Sequence, residues 1–294
     1  MDLNFIGGFD SLKKERPLIH CITSPIAIND CANAVLAVGA SPIMAEHPKE
    51  VAEIVRRAKG LSVSLANITD VRAESMGIAL EAARESSVKS VIDLVGITCS
   101  QFRKELALSY INSYHPDIIK GNASEIRTLL GDGKVEAVGV DVAEKDRITA
   151  DDDTRLKDMG EAVKQLAIRY GCVVLATGAV DLVSDGREVY GLRNGTERLA
   201  SITGTGCILT CLTACYLSQV KPLYAAMLAT SVLNISAQLA EEELMLMARN
   251  IPESMKVGIT KVQIGQGSFK TALFDQLSLI TSKGMGEAVK IKEI

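Results

Sequence analysis

The 294-residue chain contains no tryptophan, and all aromatic residues together make up only 4% of the sequence. Hydrophobic residues nevertheless account for 47%, so the core must be built mainly from Ala, Val, Ile, Leu and Met. Buried aliphatic strands are typical of parallel sheets that are covered by helices on both faces. The composition therefore favours an α/β fold over an antiparallel sandwich.

The sequence also lacks an excess of positive charge and any long apolar run. Its formal net charge is −4, and lysine and arginine are scattered along the chain, which argues against a nucleic-acid backbone as partner. The N-terminal residues have neither the apolar core nor the cleavage site of a secretion signal. The most apolar stretch, residues 207–216, is too short to span a membrane. We therefore expect a cytoplasmic protein without a membrane partner.

Metal-ligand spacing is absent as well. The three histidines lie far apart, and the seven cysteines are odd in number and lack paired short spacings. In a chain without a secretion signal, such cysteines are expected to be free thiols. Cys207, Cys211 and Cys215 recur every four residues, which places them in a row along one helix face, whereas zinc ligands must converge on a point. The sequence predicts no structural metal.

Apolar runs of strand length alternate with helical patterns along most of the chain. We predict strands over residues 18–22, 63–65, 90–94, 118–120 and 172–176, then a hairpin of residues 181–184 and 188–190 with an Asp-Gly turn. We predict helices over residues 30–38, 51–57, 74–86, 124–130, 155–169, 206–218, 221–244 and 269–281. This alternation indicates a doubly wound, mostly parallel sheet in a single domain over residues 1–294. The charged segment 142–154 is expected to be a solvent-exposed loop.

The sharpest local signal is the loop Thr203-Gly204-Thr205-Gly206-Cys207, which leads directly into an apolar helix. Glycines let a ligand approach the backbone closely, and N–H groups at a helix N-terminus attract anions. This loop is thus a candidate anion site, although a glycine-rich turn that only begins a core helix fits the same residues. The helix dipole is expected to lower the pKa of the Cys207 thiol. The loop matches neither a Walker A motif nor a dinucleotide fingerprint.

Two further clusters follow predicted strands. Lys120, Asn122, Ser124 and Glu125 lie at the end of one strand, and Asp93 lies at the end of another, so these side chains meet at the carboxyl edge of the sheet, where open α/β folds bind ligands. Two carboxylates there suit a Mg²⁺ ion that keeps most of its water, although Asn122 or Ser124 could equally serve as a helix cap.

Thr177 ends another predicted strand ahead of a glycine turn. Its hydroxyl could contact a phosphate or merely close the turn.

Taken together and in order, these segments resemble hydroxyethylthiazole kinases, the thiamine-salvage enzymes of the ribokinase-like superfamily. The resemblance covers nearly the whole chain. It is carried by the segments PLIHCIT, NDCANAVLAVGASPIMAEHPKEV, VIDLVG, IIKGNASEI, LATGAVDLVSDG, TGTGC and GQGSFKTALFDQL. It implies a ribokinase-like fold without the lid of sugar kinases, and homotrimers with active sites between subunits.

The resemblance also implies roles for individual residues. Met44 resembles the residue that lines the thiazole pocket, and Gly204 resembles the backbone contact to substrate. Lys120 stands where the family has Arg or Lys near the ATP phosphates, Asn122 belongs with it at the ATP site, and Thr177 resembles the ATP-binding threonine.

Asp93 and Glu125 resemble the acidic residues associated with Mg²⁺ and its water. Cys207 occupies the place of the catalytic Asp of most ribokinase-like kinases, next to the anion hole formed by Gly204, Thr205 and Gly206.

Three departures from the family pattern bear on the acceptor. Ser24 stands where Asn is usual, Leu94 where Pro is usual, and residues 67–70 lack the glycine of the usual Asn-Ile-Gly-Thr. The resemblance implies phosphorylation of 4-methyl-5-(2-hydroxyethyl)thiazole by ATP. A kinase for another small heterocyclic alcohol, such as a hydroxymethylpyrimidine, and a non-catalytic nucleotide- or thiazole-binding protein remain the alternatives.

Overall fold

A computed structural model describes residues 6–131, 152–249 and 264–294. Its strands form one sheet in the order β2-β1-β3-β4-β5-β6-β7-β8-β9, parallel from β2 to β6 and antiparallel from β6 to β9. The strands are β1 (Leu18–Ile22), β2 (Ser41–Ile43), β3 (Gly60–Ser64), β4 (Lys89–Asp93), β5 (Ile118–Asn122), β6 (Val173–Thr177), β7 (Asp181–Ser184), β8 (Val189–Leu192) and β9 (Ile291–Glu293).

Helices cover both faces of this sheet. They are α1 (Gly7–Glu15), α2 (Ile28–Ala37), α3 (Val51–Arg57), α4 (Asp70–Glu85), α5 (Gln101–Tyr114), α6 (Ala123–Leu130), α7 (Asp153–Tyr170), α8 (Thr205–Leu217), α9 (Pro222–Arg249), α10 (Gln266–Leu279) and α11 (Ser282–Ala288). One aliphatic core lies under α1, α2 and α8 to α11, and the other lies under α3 to α7. The expected α/β architecture is confirmed.

The positions of β1, β4, β5, β6 and the β7–β8 hairpin follow the sequence pattern closely, but the position of β3 does not. We predicted residues 63–65, whereas the strand runs over Gly60–Ser64. Gly60, Ser62 and Ser64 interrupt the apolar run, so the pattern alone gives a shorter strand. Hydrogen-bonded pairing with β1 and β4 determines where the strand begins and ends. A Cβ atom at Gly60 would lie 2.5 Å from the carbonyl oxygen of Ala214, so only glycine lets α8 approach this closely.

Several elements were missed. The pattern did not predict α1, β2, α5, α11 or β9. In α5 only Ala107, Tyr110 and Ile111 are buried, so its apolar stripe is too narrow to stand out from the sequence. Most of the charged segment 142–154 lies outside the described residues.

Helix α9 is long and apolar enough, by length and composition alone, to cross a membrane. However, 78% of its most apolar window is buried inside the fold, where it packs between α8 and α10. Burial against neighbouring helices accounts for its hydrophobicity, so we interpret α9 as a core helix.

Candidate active site

The centre of the candidate site is a row of polar side chains across three neighbouring parallel strands. Ser64, Asp93 and Lys120 are register partners near the carboxyl ends of β3, β4 and β5. The ammonium group of Lys120 donates a hydrogen bond to Asp93 Oδ2 at 3.0 Å, and 5% and 2% of the two side chains are exposed. A buried ion pair of this kind must be held by further hydrogen bonds, because both charges have lost their water.

Residues of helix α8 contact Ser64, Asp93 and Lys120. The Thr210 hydroxyl donates to Asp93 Oδ2 at 2.9 Å, and Cys207 Sγ lies 4.0 Å from the Ser64 hydroxyl. A Cβ atom at Gly206 would lie 3.3 Å from the Lys120 nitrogen. The first turn of α8 is therefore placed directly beside the lysine charge.

The loop that begins α8 has a backbone that glycine alone adopts easily. Gly204 is the N-cap residue, with φ of +93°, and a Cβ atom there would lie 2.8 Å from the Cβ of Ala27. The Thr205 hydroxyl donates to the Leu199 carbonyl at 3.1 Å, which fixes the loop from its other side. The first N–H groups of a helix have no partner within it, so this turn places such N–H groups next to Lys120, at the residues where the sequence predicted an anion site.

The pKa of the Cys207 thiol differs from the expectation. Burial raises the pKa of its thiol and the Asp93 carboxylate raises it further, although Lys120 opposes this shift. The expectation of a lowered pKa was wrong, because loss of solvent and a nearby carboxylate outweigh the helix dipole. For Lys120, burial by itself lowers the pKa, but the charge of Asp93 raises it above its ordinary value.

Glu125 closes the site from α6. Its side chain accepts hydrogen bonds from the backbone N–H groups of Gly96 and Asn122 at 2.8 and 2.7 Å. Asn122 in turn caps α6 by accepting from the Glu125 N–H at 3.0 Å, so the capping role considered from the sequence is confirmed. Burial and the charge of Asp93 raise the pKa of Glu125 to about 7.

Thr177 lies one strand further along the same edge. It is the register partner of Asn122, and its hydroxyl donates to the Gly121 carbonyl at 3.5 Å. The turn after it is held by Asp181, which accepts from the Gly178 N–H at 3.0 Å. Burial raises the pKa of Asp181 to about 6.

The residues expected to bear on the acceptor follow β1, β2, β3 and β4, on the side of the sheet edge away from Thr177. Met44 directly follows β2 and is half-buried. Ser24 donates from its hydroxyl to Asn67 Oδ1 at 2.8 Å, and Thr69 caps α4 by accepting from the Arg72 N–H. The Leu94 N–H donates to the Lys120 carbonyl at 2.8 Å, a ladder bond that proline could not make.

The structure thus brings Asp93, Lys120, Glu125 and the first turn of α8 together, with Thr177 and Met44 on opposite sides.

Two polar residues of this cluster, Ser64 and Thr210, were not predicted from the sequence. The only signal for Ser64 was its place in the alternating polar–apolar run of residues 61–65, and Thr210 follows Cys207 by one helical turn. Within the described residues, no three His, Cys, Asp or Glu side chains are grouped to hold a metal ion by themselves.

Comparison with known proteins agrees with this geometry. The model of the hydroxyethylthiazole kinase family matches residues 9–283. The chain belongs to the hydroxyethylthiazole kinase family. It is 47% identical over 231 residues to hydroxyethylthiazole kinase 2 of Clostridium botulinum strain Hall, covering 79% of this chain and 86% of that one. It is 40% identical over 281 residues to hydroxyethylthiazole kinase 1 of the Loch Maree strain, covering 96% and 97%.

Solved structures support the same family. The hydroxyethylthiazole kinase of Pyrococcus horikoshii OT3 superposes with a TM-score of 0.82 at 30% identity, over 99% of both chains. A pyridoxal kinase from Staphylococcus aureus superposes with a TM-score of 0.56 at 16% identity, which shows a shared fold alone. The ribokinase-like fold expected from the sequence is confirmed.

Proposed function

We propose that the protein transfers the γ-phosphoryl group of ATP to the hydroxyl group of 4-methyl-5-(2-hydroxyethyl)thiazole, as in thiamine salvage. The observation that carries this proposal is the Gly204–Gly206 turn beside the Lys120–Asp93 pair, in a chain of the hydroxyethylthiazole kinase family. Phosphoryl transfer requires little covalent work from the protein, since positioning and charge neutralisation dominate. The N-terminus of α8 and the side chain of Lys120 supply positioning and charge neutralisation.

An ADP-release assay tests the proposal. We expect turnover with the thiazole alcohol, much slower turnover with hydroxymethylpyrimidine, and only background without an acceptor. Faster turnover with the pyrimidine would instead identify a kinase for another heterocyclic alcohol. Tight binding of the thiazole without any ADP would identify a binding protein.

The residues at the ATP end act on the phosphates. The N–H groups of the Gly204–Gly206 turn would hold the oxygens of the transferring group, and Lys120 would offset its charge. Thr177 and Asn122, neighbours on β6 and β5, would contact ATP, while Met44 would line the thiazole pocket. The single domain and a cytoplasmic location belong to the same proposal.

The carboxylates of Asp93 and Glu125 are better suited to bind a Mg²⁺ ion through its water ligands than to coordinate it directly. Both Glu125 oxygens already accept backbone hydrogen bonds, and Asp93 Oδ2 already accepts from Lys120 and Thr210. Such carboxylates would hold the ion chiefly through its water, as Mg²⁺ prefers when it is bound with substrate phosphates. When bound, Mg²⁺ would offset the negative charge of the ATP phosphates.

Replacing Glu125 with glutamine should weaken the binding of Mg²⁺ without unfolding the protein. We expect kcat to fall roughly 10- to 100-fold and the Mg²⁺ titration to move to higher concentration, as is usual when an outer partner of a metal is lost. The measurement is kcat as a function of Mg²⁺ for Glu125→Gln, with Glu105→Gln on the exposed surface of α5 as the control. An unchanged titration and rate would remove Glu125 from the site.

The same variant should change how stability depends on pH. The pKa of Glu125 rises from 4.5 to about 7 on folding. Below pH 4.5 the carboxyl group is protonated in both states and costs no stability. As the pH rises from 4.5 through about 7, the free energy of unfolding of the wild type falls, because the unfolded chain releases this proton first. Glutamine does not titrate, so the free energy of unfolding of the wild type should fall relative to Glu125→Gln by up to roughly 3 kcal/mol over this window. Denaturant unfolding in metal-free buffer at several pH values measures the difference.

Cys207→Ala should retain measurable turnover. The raised thiol pKa keeps Cys207 neutral at pH 7, and a loose transition state needs little proton removal at the barrier. We expect a loss of roughly 10²-fold or less, the mild end of a general-base contribution. Cys211→Ala, one turn further along α8 and also buried, is the control for packing. A loss above roughly 10⁴-fold only at Cys207 would show that the thiol is an essential base.

We further propose a homotrimer with sites between subunits. Exposed apolar side chains lie at the acceptor end, where Ile26 and Val71 are 69% and 52% exposed. Burial of such side chains against a second copy is favourable, so Val71→Glu should yield smaller species in sedimentation and lower activity. A fully active wild-type monomer would contradict the assembly.

A further inference from the structure

A buried arginine ties together the two loops at the acceptor end of the site. Arg72 lies in the first turn of α4 and is 4% exposed. Its guanidinium group donates to the carboxylate of Glu46, which follows β2, and to the carbonyl oxygen of Thr23, which follows β1, at 2.5 Å. One side chain therefore fixes the ends of two adjacent strands relative to each other.

Two further hydrogen bonds hold the loop after β2. The Ser75 hydroxyl donates to the Glu46 carbonyl at 2.7 Å, and His20 Nε2 donates to the Ala45 carbonyl, also at 2.7 Å. Burial lowers the pKa of His20, so its ring is neutral at pH 7 and keeps this bond without charge. The backbone directly after Met44 is thus fastened at two successive residues to β1 and α4.

Met44 needs this support because its thioether is at most a weak hydrogen-bond acceptor and its chain is flexible. On the other loop, Ser24 follows Thr23 and donates to Asn67. The residues that face the acceptor therefore lie on backbone whose position depends on the Arg72 contacts. The ATP end does not share this dependence, since Lys120 and Thr177 belong to β5 and β6.

We infer that Arg72, together with Glu46, is a positioning residue for the acceptor alcohol: it locks the Met44–Glu46 segment against the loop after β1. The inference rests on the proposed function, because it assigns the acceptor to this end of the site. The planar guanidinium suits the task, since its fixed fork bonds a carboxylate and a carbonyl at once, whereas an ammonium group is a single point charge.

Glu46→Ala is the main test, because 42% of the Glu46 side chain is exposed and its removal should not prevent folding. We expect the KM for the thiazole alcohol to rise about tenfold or more, since small misplacements of a positioned substrate have large effects, while the KM for ATP changes less than about twofold. Arg72→Lys should rescue part of the loss seen in Arg72→Met. Glu53→Ala, which removes the exposed partner of Arg57 on α3, is the control and should match the wild type.

Hydrogen exchange provides a readout that does not need turnover. Amides of residues 23–27 and 44–46 should exchange faster in Glu46→Ala than in the wild type or Glu53→Ala. Equal rises in both KM values, or a lower melting temperature with unchanged KM values and exchange, would overturn the inference. A wild type without thiazole turnover would overturn the proposed function instead, and unchanged exchange in Glu46→Ala would then overturn the positioning role independently.

Discussion

Gly204→Val should nearly abolish turnover while leaving most of the fold intact. A β-branched residue is strongly disfavoured at φ of +93°, and its Cβ would lie 2.8 Å from the Cβ of Ala27, so the loop must move away from the first turn of α8. Losing one preorganised donor at a developing charge typically costs roughly 10²- to 10³-fold in kcat, and displacing the whole turn should exceed that. The measurement is kcat and KM with both substrates, alongside the melting temperature.

A second glycine provides the matched control for backbone strain. Gly131, at the end of α6, has φ of +105°, and a Cβ atom there meets nothing within 4 Å. Gly131→Val therefore carries a similar conformational penalty without touching the candidate site. We expect both variants to lose stability through backbone strain, with a larger loss for Gly204→Val because of its contact with Ala27, but only Gly204→Val to lose activity. A folded Gly204→Val variant with wild-type kcat would show that this turn does not hold the phosphoryl group.

Lys120→Met should be the most destabilising single change proposed for this protein. It leaves Asp93, of which 2% is exposed, as a buried carboxylate whose remaining side-chain partner is the Thr210 hydroxyl. Removing one member of a buried ion pair costs about 3 to 5 kcal/mol in the free energy of unfolding. Activity should be lost as well, because the cation beside Gly206 is gone.

A double variant separates the two effects. Lys120→Met with Asp93→Leu removes both charges, and apolar replacement of a buried ion pair is often neutral for stability. Thr210 keeps a partner, since its hydroxyl can donate instead to the Gly206 carbonyl, which lies 2.9 Å away. We therefore expect denaturant unfolding to show recovered stability, with turnover still absent. Recovered turnover in the double variant would mean that Lys120 acts only by neutralising Asp93, and the proposed role at the ATP phosphates would fail.

The chemistry of this site depends on how burial and charge combine. Lys120, Asp93 and Glu125 share one desolvated edge, where the charge of Asp93 raises the pKa of both Lys120 and Glu125. Cys207 lies among them with a raised pKa, so it does not supply a ready thiolate. We therefore expect charge placement around the phosphates to matter more for rate than proton removal from the acceptor.

The sequence by itself determined the class of fold and the order of its elements. Aliphatic runs of strand length, separated by helical patterns, predicted the parallel strands β1, β3, β4, β5 and β6 but not β2, because local hydrophobic periodicity follows secondary structure directly. The glycine turn before Cys207 and the Asn122–Glu125 cap were also visible, since both depend on contacts within a few residues. Elements with little buried apolar surface, such as α5, left no comparable signal.

Only the tertiary structure decided which side chains meet. The Asp93–Lys120 pair joins residues 27 positions apart, and Thr210 reaches Asp93 across 117 positions, contacts that depend on strand register and on the seating of α8. The same holds for Arg72, whose sequence context gives no sign that it bonds the loops after β1 and β2. The pKa of Cys207 illustrates the physical reason. Its local position at a helix N-terminus favours the thiolate, but desolvation and the charge of Asp93 come from distant parts of the chain, and they determine the sign.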